Sequence, residues 1–236
     1  MSETAQAKDS LKPGSGRLGM RRFSAVELLI ALALLFFCVP FVEEVKGGDI
    51  IVSILLSLVL ISAVLAVSNR RGTLVVAVLL AIPTVASRWI NHFRPHLLPP
   101  AIFLIGGLLL VAFVVVHLMR FVLRASSVNL EVLCASVSAY LMLGLLWTLA
   151  YWLVAEISPT AFAFNTATGT KESMHGFNAF YFSFITLSTV GYGDITPVSK
   201  VARMLAALEA MTGLLYVAVL IARLVALYST PKSYES

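Results

Sequence analysis

The chain has 236 residues, of which 59% are hydrophobic and 12% are charged, with a net charge of +5. Soluble domains carry about 25% charged residues, so this composition excludes a water-soluble globular protein and places the chain in a lipid bilayer. The basic residues lie mainly between apolar stretches and in the N-terminal tail, which is a membrane-topology pattern and not the footprint of a nucleic-acid partner.

Residues 1–22 are polar and carry Lys8, Lys12, Arg17, Arg21 and Arg22, so a disordered cytoplasmic tail is predicted there. Six apolar segments follow, at about 24–43, 50–68, 73–90, 100–122, 130–157 and 199–228, each near or above the ~17–20 residues that cross a bilayer as a helix. The third is the weakest, because Pro83 interrupts it and Arg88 limits it. The first four segments read as one four-helix membrane region over residues 23–125. Residues 230–236 read as a short cytoplasmic tail.

Charge sets the orientation. With the N-terminus inside, 11 of the 17 basic residues fall on inner segments, all but Lys46, Arg88, Arg94, Lys171, Lys200 and Arg203. The first outer loop carries Glu43, Glu44 and Asp49. The bias predicts a multi-pass cell-membrane protein with both termini cytoplasmic; Arg88 and Arg94 run against it. Cys38 and Cys134 each sit inside an apolar segment and read as small buried hydrophobes, not as a disulfide or metal site.

Between the fifth and sixth segments the pattern changes. Residues 158–176 are rich in Thr, Asn, Gly and Ser, and residues 177–187 are apolar and aromatic but too short to span. A short apolar helix at that place predicts a re-entrant element, tolerated only where protein or water surrounds it. The expected fold class is therefore all-α integral membrane: six transmembrane helices, with a re-entrant helix and loop between the fifth and sixth.

The loop after that short helix reads Thr186-Leu-Ser-Thr-Val-Gly-Tyr-Gly-Asp194. Its core, Thr189, Val190, Gly191, Tyr192 and Gly193, resembles the selectivity filter of the potassium channel family. Around it, Asn178–Pro197 is similar to the family's pore-helix pattern: the pair Tyr181-Phe182 lies eight and seven residues before Thr189, and Asp194 is followed by Pro197. The resemblance covers roughly residues 130–228 and implies a pore domain over 126–229. It also implies that the carbonyls of Thr189, Val190, Gly191 and Tyr192 replace the hydration oxygens of K⁺, with the Thr189 hydroxyl closing the lowest site. Successive carbonyls on one side require alternating backbone conformations, and Gly191 and Gly193 permit positive φ without steric cost. Tyr192 is expected to brace against Tyr181 and Phe182, and the pore helix to end near Leu187 with its negative end toward the cation path. Two departures stand out: Ser188 replaces a common Thr, and Tyr181-Phe182 replaces a common Trp pair.

A four-strand filter built from a chain with one filter implies a homotetramer. The expected function is passive, K⁺-selective conduction, with K⁺ as the permeant ion and no cofactor. Residues 101–119 contain no Arg or Lys, and Arg120 and Arg124 come only at the inner end of the fourth segment, so the charge array of a voltage sensor is missing. A non-selective cation channel and a coupled potassium transporter are the alternatives; the intact Thr-Val-Gly-Tyr-Gly argues against the first, and one full filter per chain against the second. An enzyme is excluded, because no nucleophile–base pair, metal motif or phosphate loop occurs.

Two residues of the last segment are gating candidates. Glu209 lies about ten residues in, roughly 15 Å along a helix, where a carboxylate is expensive and needs protonation or partners. Gly213 lies at the family's hinge position, where bending is favoured narrowly over close packing. His117 reads as a packing or interfacial residue, His92 and His96 flank Arg94 and Pro95 in a loop with no Cys or acidic cluster to make a metal site, and Trp147, Tyr151 and Trp152 read as core or belt aromatics.

Overall fold

The structure, a computed structural model, describes residues 24–42, 47–67, 71–94, 97, 99–165 and 172–229. The tails expected at 1–22 and 230–236 lie outside the described residues, as do Glu43, Glu44, Arg70 and His96. In chain order the elements are α1 (Ser24–Val42), α2 (Gly48–Val67), α3 (Arg71–Phe93), α4 (Pro100–Arg124), α5 (Leu130–Ile157), β1 (Phe162–Phe164), α6 (Gly176–Leu187), β2 (Ile195–Pro197) and α7 (Lys200–Ser229). Among the described residues six helices, all but α6, are long and apolar enough to cross a membrane.

Local chemistry explains several boundaries. Pro100 opens α4 at the one turn where a missing amide costs nothing. The Asn129 side chain caps α5 by accepting from the Val132 amide at 2.9 Å. Pro83, expected to interrupt the third segment, instead sits inside an unbroken α3. It removes one amide donor, and the Thr84 hydroxyl meanwhile donates back to the Leu80 carbonyl at 2.7 Å. Arg88 is accommodated as well: its Nε donates to Ser53 Oγ on α2 at 3.0 Å, and its guanidinium lies 5.7 Å from the Phe103 ring centroid on α4.

The helices form one packed body. Leu28, Leu32 and Leu35 of α1 join Val59 and Ala63 of α2, Leu110 and Val114 of α4, and Ala135, Ala139 and Met142 of α5 in a continuous buried core. Burying one such leucine contributes about 1.5–3 kcal/mol against water; in lipid the gain comes from close packing, which the small residues of α5 allow. Phe36 of α1 meets Phe180 and Phe184 of α6 edge-on, with centroids 4.7 and 4.5 Å apart. The first helix therefore packs directly against the short one.

A second buried cluster, with Tyr151, Phe162, Phe182, Ile195 and Ala202, holds the region around α6 and the following loop. Here the all-helical expectation missed a feature: β1 and β2 pair antiparallel, with Phe162 opposite Pro197 and Phe164 opposite Ile195. At the other end α7 is tied down twice. Tyr216 Oη donates to the Ser136 carbonyl at 2.6 Å, and Arg223 to the Ala125 carbonyl at 2.8 Å.

Gly144 of α5 lies against the Phe184 ring, and a Cβ there would run into ring atoms. Gly144→Val should therefore destabilise the fold by about 1–3 kcal/mol through overpacking. Thermal unfolding in detergent is the check, and a midpoint equal to the parent's would contradict this packing.

Candidate ion-conduction site

The chain leaves α6 by folding back on it. The Ser188 amide bonds the Phe184 carbonyl at 3.1 Å and the Thr189 amide the Thr186 carbonyl at 2.9 Å. The Val190 and Gly191 amides both reach the Ile185 carbonyl, at 2.9 and 3.2 Å. The amides of residues 188–191 are thus consumed by the orphan acceptors at the C-terminal end of a helix.

Its carbonyls are not. Among the described residues, the carbonyls of Thr189, Val190, Gly191 and Tyr192 accept no hydrogen bond, while that of Gly193 accepts one from Asn165 Nδ2 at 2.9 Å. Backbone φ is positive at alternate residues, +59° at Thr189, +55° at Gly191 and +80° at Gly193. The two glycines adopt this conformation freely. Thr189 does not: a β-branched residue at positive φ stores on the order of 1–3 kcal/mol of strain. The sequence pointed to the glycines and gave no sign of the threonine.

The segment after the loop is clamped. The Asn165 amide also donates to the Asp194 carbonyl at 2.7 Å, so one residue at the end of β1 holds two successive carbonyls. The Asp194 carboxylate accepts from Tyr181 Oη at 2.6 Å and from the Ile195 amide at 2.9 Å. Tyr181 and Phe182, expected to brace Tyr192, are thus engaged elsewhere within the chain: Tyr181 on Asp194, and Phe182 edge-on to Tyr151 and Phe162 at 4.9 and 5.6 Å. Tyr192 is 72% exposed and Val190 54% exposed in the single chain.

Behind the loop, Glu209 of α7 is fully buried. Tyr151 of α5 donates to its Oε2, and Ser183 of α6 lies 2.6 Å from its Oε1. Ser183 Oγ is also 2.8 Å from the Gly144 carbonyl on α5. One carboxyl group therefore joins three helices. Gly213 sits one turn further along an uninterrupted α7, where a Cβ would strike the Leu187 carbonyl at the end of α6. Close approach is the requirement visible at this glycine. His117 contacts the Phe113 carbonyl through a ring nitrogen at 2.9 Å, and among the described residues no group of three His, Cys, Asp or Glu side chains could hold a metal ion.

Sequence reasoning missed Asn165 and Ser183 and took Tyr151 for a packing aromatic. Asn165 lies in a polar loop with no spacing cue, and a lone hydroxyl in an aromatic helix looks incidental.

Residues 139–230 match a family described as ion channels. The voltage-gated potassium channel Kch of Escherichia coli (strain K12) is 47% identical over 60 residues, covering 22% of this chain and 14% of that protein. Two-pore potassium channel 4 of Arabidopsis thaliana is 34% identical over 85 residues, covering 36% of this chain and 29% of that protein. The inward rectifier potassium channel Kirbac3.1 of Paramagnetospirillum magnetotacticum is 32% identical over 92 residues, covering 39% and 28%. The chain spans less than a third of the length of each of these relatives. The similarity is to potassium channels, and neither the family nor these relatives are enzymes.

Glu209→Ala removes the partner of two buried hydroxyls and leaves a void, which should cost about 2–5 kcal/mol. Glu209→Gln keeps shape and most hydrogen bonds and should stay within about 1 kcal/mol of the parent. Thermal unfolding of both variants in detergent measures the difference; equal midpoints for Ala and Gln would show that the carboxyl group holds nothing together.

Proposed function

We propose that the chain is one subunit of a potassium-selective channel, which conducts K⁺ passively across the cell membrane through a homotetrameric pore. The ion-channel region at 139–230 and its potassium-channel relatives are the premise. The observation that carries the reading is the backbone of Thr189, Val190, Gly191, Tyr192 and Gly193. Positive φ at every second residue and four carbonyls without donors are what a dehydrated cation needs in place of its water oxygens. K⁺ is then the permeant ion, and no cofactor takes part.

The topology follows. The six long helices cross the bilayer, α6 enters and returns without crossing, and both termini are cytoplasmic, as the charge bias of the sequence supports. Residues 23–125 make a four-helix region and 126–229 the pore domain. Irregular backbone at membrane depth is tolerated only where protein or water covers it. A loop as exposed as Val190 and Tyr192 are in one chain therefore needs neighbouring subunits around it. Four copies supply four filter strands, and the outward Tyr192 gains its brace from the next subunit.

Glu209 and Gly213 are gating residues in this reading. Glu209 acts as a neutral acid. Three short contacts link Tyr151, Glu209, Ser183 and the Gly144 carbonyl; the two hydroxyls carry one proton each, and a carboxylic acid supplies the third. Gly213 lets α7 approach the end of α6 and move against it. Gating does not use a charged fourth helix, since α4 carries no Arg or Lys before Arg120.

Reconstituted in liposomes, the protein should pass K⁺ and Rb⁺, nearly exclude Na⁺, and be blocked by Ba²⁺. Gly191→Ala, which forces a side chain into positive φ, should abolish K⁺ flux. Comparable Na⁺ and K⁺ permeation in the parent would sink the reading. Neutralising Arg120 and Arg124 together should leave the steepness of any voltage response unchanged. A large fall in gating charge after that double change would restore a sensor role to α4.

A further inference from the structure

The candidate filter is held unequally at its two ends. At its start, residues 188–191 spend four amides on the end of α6. At its finish, the peptide that joins Gly193 to Asp194 is held, among the described residues, at its carbonyl by Asn165 Nδ2 at 2.9 Å. Gly193 has φ +80° and no Cβ, so nothing in its own side chain chooses how that peptide plane is turned. Only a donor can meet a carbonyl, so the nitrogen end of the Asn165 amide faces Gly193.

Asn165 itself stands on a fixed base. β1 and β2 pair with Phe164 opposite Ile195, and the Asn165 backbone amide extends that ladder by donating to the Asp194 carbonyl at 2.7 Å. At the other end of the ladder the Val198 and Ser199 amides both reach the Ala161 carbonyl, at 2.8 and 3.2 Å. Phe162 anchors β1: it is buried and meets Tyr151 of α5 and Phe182 of α6 edge-on, with centroids 5.8 and 5.6 Å apart. From this base the Asn165 side chain reaches one residue past the ladder, to the carbonyl that follows the four unmet ones. A two-stranded ladder this short has little stability of its own; its effect here is to place a donor at Gly193.

Given the channel reading above, we propose that Asn165 is a positioning residue for conduction: its side-chain amide selects one orientation of the Gly193–Asp194 peptide and so holds the Asp194 end of the filter in its conducting form. Without this donor the glycine lets the plane turn, and the Gly193 carbonyl changes its direction relative to an ion leaving Tyr192. K⁺ opposes that turn, because a bound cation orients the carbonyls around it. Loss of the donor therefore shows most when K⁺ is scarce at this end and fades as K⁺ fills it. A residue that only held the ladder together would give a defect that K⁺ does not relieve.

The full chain is reconstituted in planar bilayers, and the duration of conduction is recorded as K⁺ is lowered on the Asp194 side of the pore. The parent must pass K⁺ in preference to Na⁺; if it does not, the channel reading fails and the role of Asn165 with it. With a selective parent, Asn165→Ala should shorten conduction about fivefold at low K⁺, the factor that one ordinary hydrogen bond contributes, and should approach the parent at high K⁺. Asn165→Asp keeps the shape but, when ionised, sets an acceptor against an acceptor; it should shorten conduction too, and it serves alone if Asn165→Ala does not assemble. An assembled variant with the parent's duration at low K⁺, or a loss that high K⁺ does not relieve, overturns the proposal and leaves the channel reading standing.

Discussion

Four backbone carbonyls without hydrogen-bond donors are the constraint from which the rest of the arrangement follows. Such groups are costly anywhere away from water, and more so at membrane depth. They are held because the amides of three of these residues, Thr189, Val190 and Gly191, are spent on the end of α6, at Ile185 and Thr186. The loop does not satisfy itself: its donors are spent on α6 while these acceptors meet no donor among the described residues. Everything that fixes α6 therefore fixes the carbonyls. The strain at Thr189 (φ +59°) survives only because that anchoring over-determines it.

Two anchors lie on opposite sides of the loop. After it, Asn165 and Tyr181 bind the stretch from Gly193 to Asp194 through backbone and carboxylate alike. Behind it, Glu209 draws α5 and α6 toward α7 through Tyr151 and Ser183. A buried polar network of this kind stabilises only when every member is satisfied. Here the carboxyl group joins three helices. Its place on α7 matters, because α7 is also the helix on which Gly213 meets the Leu187 carbonyl. Movement of α7 would reach the loop through this joint and this contact before any other.

Much of this was legible in the sequence, for reasons that differ by element. The bilayer demands about 20 apolar residues per crossing, so α4, α5 and α7 begin and end within a few residues of the segments read from hydropathy. The glycines at 191 and 193 announce positive φ because no other residue takes it so freely. What stayed hidden depends on partners far apart in the chain. Asn165 and Gly193 are 28 residues apart, Arg88 and Ser53 35 apart, and Tyr151 and Glu209 58 apart. No local pattern encodes such pairs. The β1–β2 ladder escaped for the same reason, since each strand is three residues long and has no period to detect. Gly213 shows a different limit: a hinge and a close contact both call for the same missing side chain, and the neighbour that makes the contact, Leu187, lies 26 residues away in sequence.

The N-terminal helices were the least legible part, because nothing in their sequence beyond number resembles a sensor. Their packing supplies a physical role that charge did not. Phe36 of α1 lies against Phe180 and Phe184 of α6, and Phe184 in turn fills the gap left by Gly144. The same α6 carries Ser183, which reaches Glu209. A displacement of α1 would therefore press on a short helix that also contacts the Glu209 carboxyl group. Coupling of this sort needs no charge to cross the membrane field. It requires only that a packed aromatic contact have more than one arrangement, and close-packed interiors pass such changes on rather than absorb them.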